Sequence, residues 1–408
     1  MRVAIVGGGV SGLVAAHLLH PRHEVTVFEA GSAVGGHVHT VPVETADGPV
    51  GIDTGFIVYN ERNYPNFTRL LDRLGVATQP STMSFSVRLA EPDLEYNGSS
   101  LRQLFAQPRN VARPWFYRML LDILRFNRGA PLAVRNGSRD ATLGELVSSL
   151  RLGAAFRDRY LVPMGAAIWS AAPDEVLRMP AGFFVRFFEN HGMLTVDDRP
   201  EWRTVVGGSA RYVERLVAPF VDRIRTAHAV QEVRRHPDRV EVDGERFDHV
   251  VLACHSDQAL GVLTDPSPAE REVLGAIPYQ ANDVVLHNDV TLLPRRRAAW
   301  GAWNYHAVDP ARPVAITYYM NDLQGLALAD DWCVTLNATE EIDPSRIAGR
   351  FRYHHPVFTR EGIEARLRWS EVSGPARRTH YCGAYWGNGF HEDGVSSALR
   401  VARSLVAG

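Results

Sequence analysis

The chain has 408 residues, 45% of them apolar and 22% charged, and a formal net charge of −2. That balance suits a folded protein with two or three cores; it argues against disorder or a coiled coil and gives no global attraction to nucleic acid. All 44 basic residues are arginine, so any mechanism that needs a lysine, Schiff-base chemistry and a pyridoxal phosphate anchor included, is excluded.

The chain opens with an apolar strand, Val3-Ala4-Ile5-Val6, that runs into Gly7-Gly8-Gly9-Val10-Ser11-Gly12 and a helix-forming stretch. A second strand, Glu24 to Phe28, ends at Glu29, 22 positions after Gly7, and Gly35-Gly36 follow. Each part has its own task in holding a dinucleotide: Gly7 for the tight turn, Gly9 for approach to a pyrophosphate, Gly12 for close helix–strand packing, and Glu29 for a ribose. A chance glycine loop would lack this context of strand, helix and acidic residue. The same segment reads as the first strand of a nucleotide fold, not as a signal peptide, and no run approaches the ~18 apolar residues of a membrane span. A cytoplasmic protein is therefore expected, which also suits Cys254, Cys333 and Cys382, too few and too dispersed for a disulfide framework.

Val50 to Phe56 reads as a short strand and turn, and residues 66–74 as a helix with Leu70, Leu71 and Leu74 on one face. From about Pro80 the texture changes: Ser84 to Arg88 alternates like a half-buried strand, and a mostly helical region then runs to about Asn190 with breaks at Pro108, Pro131, Pro163, Pro173 and Pro180. Within it, Trp115, Met119, Leu120, Ile123 and Leu124 are spaced for one helical face, which would pack as core, meet a membrane surface peripherally or line an apolar tunnel. Phe183, Phe184, Phe187 and Phe188 read as core or as the wall of a ligand cavity. From Val205 a helix over Ala210–Leu216, a stretch from Ile224 to Val233, Val240 to Val242 and Val250 to Ala253 form a β-meander feeding a buried parallel strand. Alternating strands between Asp283 and Leu336, among them Ala315 to Met320, suggest a second sheet, and Tyr381 to Leu405 reads as strand, loop and helix. The nucleotide part is thus expected in three pieces, 1–80, 200–280 and 375–408, with 81–199 and 281–374 as a substrate-binding domain inserted twice.

These features, with the stretches Asp53 to Asn60, Pro163 to Ser170, Trp202 to Ser209 and Gly389 to Gly394, resemble the flavin-containing amine oxidoreductase superfamily, and within it a bacterial group of NAD/FAD-binding proteins. The resemblance implies an α/β fold, a Rossmann-type FAD-binding domain of glutathione-reductase-like, amine oxidase type with an inserted α+β substrate domain. It implies FAD, held non-covalently, and a set of contacts: Gly7, Gly9, Ser11, Gly12, Glu29 and Ala30 at the nucleotide; Gly35, Gly36, His37, Gly55, Phe56 and Gly383 toward the flavin; Val230 at the adenine. A helix starting near Glu392, Asp393, Gly394 and Val395 would aim backbone N–H groups at the flavin, where negative charge develops on reduction. Amine-oxidising members use a lysine near the flavin, and in this chain the matching strand, beginning near Tyr279 to Asp283, has none.

Candidate acid–base residues are His391, beside the flavin-facing helix, His191, Asn282, which could hold a water, and Tyr318. His306, His354 and His355 also sit beside aromatics, although most histidines in such settings are structural. His37 and His39 lack a third ligand for a metal, and Ser209 lacks a nucleophile-elbow context. The expected reaction is removal of hydride from an aliphatic carbon of an apolar substrate, an acyl lipid or polyene, to flavin N5, with oxygen or another acceptor completing the cycle. The alternatives are an isomerase without net redox change and a non-catalytic flavin-binding subunit.

Overall fold

The computed structural model describes residues 1–46, 48–169, 171–195, 199–307 and 315–406. Two sheets organise it. The first is a five-stranded parallel sheet in the order Ile224–Arg225, Glu24–Phe28, Arg2–Val6, His249–Leu252, Thr379–Tyr381. Its inner strands are almost continuously apolar, as a parallel sheet covered on both faces requires. The helices Val10–Leu19 and His391–Val406 pack together on one face and share a core with Val3, Ile5, Val25, Val27 and Val251. Chain order reverses direction at Arg2–Val6, with neighbours Glu24–Phe28 on one side and His249–Leu252 on the other. The carboxyl ends of the strands therefore open into a crevice at the Gly7 loop.

The meander is present as Val233–Arg235, Val240–Val242 and Glu245–Phe247. Val230 is in no strand: the chain leaves the first sheet after Arg225 and re-enters regular structure only at Val233. The helix expected over residues 66–74 is Pro65–Leu74, and it buries Phe67, Leu70 and Leu71 while Leu74 is only half-buried.

The second sheet has seven strands, in the order Ile347–Pro356, Tyr279–His287, Cys333–Leu336, Ala315–Tyr319, Trp303–Ala307, Phe85–Leu89, Leu94–Asn97. All neighbours are antiparallel except Trp303–Ala307 with Phe85–Leu89. That parallel pair joins two distant stretches of chain in one sheet. Helices between Leu101 and Asn190 cover it. The chain does not break at all five prolines: Pro131 lies in the last turn of the helix Pro114–Ala133, and Pro163 is the second residue of the helix Val162–Trp169. Pro163 follows closely on the π-helical turn Arg157–Leu161, whose widened hydrogen-bond ladder lets the helix run through the proline. Ser170, the end of a stretch that carried the family resemblance, lies outside the described residues.

A hairpin, Thr40–Thr45 with Gly48–Asp53, ties the two sheets together. Asp53 is fully buried and accepts the Ser209 N–H at 2.9 Å and the Thr40 hydroxyl at 2.5 Å, while its own N–H donates to Gln324 Oε1 at 2.8 Å. Burial pushes its carboxyl up to about 6.

Candidate active site

The turn at Gly7 is set by backbone sterics. Its φ is +112°, and a Cβ there would lie 2.8 Å from the Ala253 carbonyl group; a Cβ on Gly12 would overlap the Gly7 carbonyl oxygen. Gly9 differs, because a Cβ there would project into open space. It precedes a ten-residue helix whose first turn has no side-chain cap, so unsatisfied N–H groups face the crevice. Glu29 closes this end: its carboxylate accepts the Gly8 and Gly31 N–H groups, each at 2.7 Å.

From here a cavity of about 800 Å³ runs between the two sheets, near the upper end of the ~300–1,000 Å³ usual for small-molecule sites. Gly7, Gly9, Ser11, Glu29, Ala30 and Val230 line its first third; Gly35, Gly36, His37, Gly55, Phe56 and Gly383 its middle. The far end is Trp169, Trp202, Trp303, Tyr318, Phe358 and Phe390. Among the described residues, Glu29 is the one acidic residue on this wall, and no arginine lines it.

Histidines gather in the middle. His37 lies 5.4 Å from His355 and 6.4 Å from His255, ring centre to ring centre, and His255 stacks on Tyr279 at 4.4 Å. Loss of hydration and mutual repulsion hold His37 down to about 3 and His355 to about 4, so both rings are neutral at ordinary pH. Asn282 does not reach the cavity. Its amide is 3.1 Å from His355 Nδ1 and its carbonyl accepts from Asn337 at 2.8 Å, so it orients His355 from behind.

His391 does line the cavity, packed flat on Phe56 with ring centres 3.6 Å apart and sharing a 2.9 Å hydrogen bond with the Tyr212 hydroxyl. Burial depresses it to about 3. A ring so stacked is a neutral wall residue, not a proton store. His191 is off the wall; its Nδ1 is 2.9 Å from the Phe187 carbonyl and its ring stacks on Phe187. Tyr318 is on the wall, edge-on to Trp303 at 5.0 Å, and burial raises its hydroxyl far above the usual range.

The last helix begins at His391, and its first turn faces away from the cavity at several points. Glu392 accepts the N–H groups of Asn66 and Phe67 and caps the helix Pro65–Leu74. Asp393 accepts the Phe390 N–H at 3.0 Å and is pushed up to about 6 by burial. Gly394 packs on Val10 and Ser11, and Val395 is core; neither they nor Gly12 line the cavity, whose wall here is Asn388 to His391. The four phenylalanines expected as core or wall stand one layer back: Phe183 stacks on the wall residue Phe358 at 5.1 Å, and Phe187 contacts Trp169 at 4.8 Å.

Four buried polar atoms of wall residues have no partner: His37 Nε2, Trp169 Nε1, Trp303 Nε1 and the Tyr385 hydroxyl. Leaving such groups unpaired costs about 1–3 kcal/mol each, so the cavity is shaped and polarised for a guest. An open glycine cradle at a helix N-terminus, a carboxylate at the end of the second strand and unpaired donors farther along fit a dinucleotide carrying a ring system. The wall residues that sequence reading passed over, His255, Tyr353 and Trp303, carry no local motif; Trp169 lies in the Pro163–Ser170 stretch, but no role is read for it there.

The fold and this cavity define a two-sheet dinucleotide-binding flavoprotein. The chain matches the flavin containing amine oxidoreductase family over residues 10–287 and belongs to that family. Among characterised relatives, it is 38% identical over 107 residues to the carotenoid phi-ring synthase of Streptomyces griseus, 26% of this chain and 19% of that protein. It is 25% identical over 308 residues to the flavin-dependent L-tryptophan oxidase RebO of Lentzea aerocolonigenes, 68% of this chain and 58% of that one. The matched region is thus under a fifth of the first and under three fifths of the second. Solved structures share the fold at low identity: a putrescine oxidase, TM-score 0.68, 16% identical, 100% of both chains, and a CLA-producing fatty acid isomerase from P. acnes, TM-score 0.65, 15% identical, 98% of both.

Proposed function

We propose that the enzyme removes hydride from an aliphatic carbon of an apolar substrate, an acyl lipid or a polyene, seated at the aromatic end of the cavity. The observation that carries this is the wall itself: among the described residues, Trp169, Trp202, Trp303, Tyr318, Phe358 and Phe390 close that end without a carboxylate or an arginine. A substrate ammonium would find no counter-ion there, nor would the carboxylate of an amino acid, and burying either charge unpaired is costly. The absence of lysine from the whole chain supports the same direction, since it separates this protein from the lysine-assisted amine oxidases that it resembles.

FAD supplies the hydride acceptor when bound, and the Gly7–Ser11 loop, Glu29, Gly35 and Gly36 are the residues placed to hold it. The aromatic end excludes water and orients an extended chain by shape. His37 and His355, neutral and side by side, add no charge to the dry site, and Asn282 keeps His355 in position.

Anaerobic mixing of the FAD-loaded protein with acyl lipids, polyenes and primary amines tests this. Lasting loss of flavin absorbance with an apolar substrate supports hydride removal, and bleaching by amines alone overturns it. Conversion of an apolar substrate with the flavin spectrum unchanged would instead favour isomerisation.

A further inference from the structure

We propose that the outer face of the helix Pro114–Ala133, with the segment leading into it, docks on the headgroup region of an anionic lipid bilayer. The sequence pattern suggested one apolar face, but the structure splits it. Phe116, Met119, Phe126 and Ala130 turn inward and are buried, whereas Tyr117, Leu121, Leu124 and Leu132 are exposed on the opposite side. The helix is apolar on two opposite faces, and only one is covered.

The exposed stripe recurs at helical spacing and extends ~22 Å from Tyr117 to Leu132 at 1.5 Å per residue. Val111 continues it, since the Tyr117 hydroxyl donates to the Val111 carbonyl at 2.9 Å. Of ten large apolar side chains exposed among the described residues, six fall between Leu101 and Leu132. Such clustering marks an interaction surface, where scattered exposed leucines would not.

Charge selects the occupant. Residues 101–139 contain eight arginines and one acidic residue, Asp122, in a chain whose net charge is −2. Asp122 is buried and held by Arg118 at 3.2 Å and Arg125 at 2.7 Å, so it offers no negative charge to the surface. Among the described residues, Asp93, paired with Arg109 at 3.3 Å, Glu189, paired with Arg135 at 2.9 Å, and Asp158, paired with Arg157 at 2.6 Å and near Arg159, are carboxylates that approach from neighbouring elements. Arg113 and Arg159 both lie over the Trp115 ring, at 5.4 and 4.1 Å, and Arg128 sits in the stripe between Leu124 and Leu132. Apolar side chains set among arginines match anionic headgroups over an acyl boundary. A second copy of the chain would set arginine against arginine in a two-fold interface. No helix among the described residues is long and apolar enough to cross a membrane, so the contact is peripheral.

The surface is argued from exposure and charge, independently of the substrate. It would nonetheless serve the proposed reaction, because the buried face of this helix belongs to the same apolar cluster as Trp169 and Phe358 of the cavity wall.

Sedimentation of the FAD-loaded protein with sucrose-filled vesicles tests the surface. Vesicles of phosphatidylcholine mixed with phosphatidylglycerol should carry down at least about tenfold more protein than phosphatidylcholine alone, less so as salt rises. Leu121→Glu/Leu124→Glu should lose that binding while keeping the flavin spectrum; Leu121→Ser, a milder change, serves if the double variant fails to hold flavin. Equal binding to both vesicle types, unchanged binding by a flavin-loaded variant, or a wild-type dimer that the variant dissolves would overturn the proposal. Failure of flavin bleaching by apolar substrates, with vesicle binding intact, would strike the proposed reaction and not this surface.

Discussion

The two ends of the cavity are built by different means. At the nucleotide end the wall is mostly backbone, shaped by glycines whose missing Cβ atoms are the design, with one carboxylate fixed by two N–H groups. At the far end the wall is side chains alone, and three indoles and three other aromatic rings supply it. A backbone site tolerates little where, as at Gly7 and Gly12, an added Cβ collides with backbone that cannot move. An aromatic wall is backed by a second layer, Phe183 and Phe187 among it, and can repack. The first end fixes the cofactor class, while the second is free to define a substrate.

The sharpest way to break that contrast is Gly12→Val. Its Cβ would overlap the Gly7 carbonyl oxygen, backbone against backbone, so the expected cost exceeds ~4 kcal/mol and the protein should be recovered without flavin or not at all. A folded, yellow Gly12→Val protein would show that the loop has slack which the structure denies it.

Acidification probes the buried histidines, within the cavity and beyond it. Buried His37, His380 and His391 are held down to about 3, and His287, His306 and His355 to about 4, against an ordinary value near 6.5. Below pH 6.5 the unfolded chain takes up protons that these rings refuse in the fold, so stability falls as pH drops toward 4. Asp53 and Asp393, pushed up to about 6, act in the opposite sense: their contribution is present at low pH and lost as pH rises through 6. Six groups outweigh two, and the thermal midpoint should fall steadily from pH 7 to pH 5. A flat or rising midpoint over that interval would mean that the histidines are hydrated in solution.

The same contrast explains what could be read from the sequence. Gly7, Gly9, Gly12 and Glu29 were legible because the constraint on each lies within a strand–turn–helix of adjacent residues. His355 and Tyr353 reach the wall because the second sheet sets Ile347–Pro356 beside Tyr279–His287, and Trp303 because it carries Trp303–Ala307 alongside Phe85–Leu89, pairings that no local pattern encodes. The phenylalanine cluster and the helix Pro114–Ala133 show a second limit. Periodicity says that a face is apolar; it does not say whether that face meets core, cavity or solvent. Val230 lies outside any strand and Glu392 caps a distant helix, settings decided by partners far away in sequence.

A smaller effect is expected from Glu29→Ala. Two backbone N–H groups lose their acceptor at the edge of the cavity, where water can partly replace it. FAD binding should weaken by about tenfold, near 1.4 kcal/mol, read by titrating flavin into the stripped protein. No change in affinity would reduce Glu29 to a local brace for the loop.

Least visible in stability, and most informative about the far end, is Trp303→Phe. The indole N–H is buried without a partner, so replacing it by a phenyl ring removes an unsatisfied donor and a little volume together; the two effects oppose each other, and the net change should stay within about 1 kcal/mol. Flavin content should be unchanged, because Trp303 stands at the opposite end from the glycine loop. The discriminating measurement is steady-state turnover of the apolar substrate. If the wall acts by shape alone, kcat/KM should change by no more than a few-fold, about 1 kcal/mol in transition-state energy. A loss of about a hundredfold with normal flavin content would instead make the indole N–H a hydrogen-bond donor to the substrate, and would place a carbonyl or hydroxyl oxygen at the aromatic end.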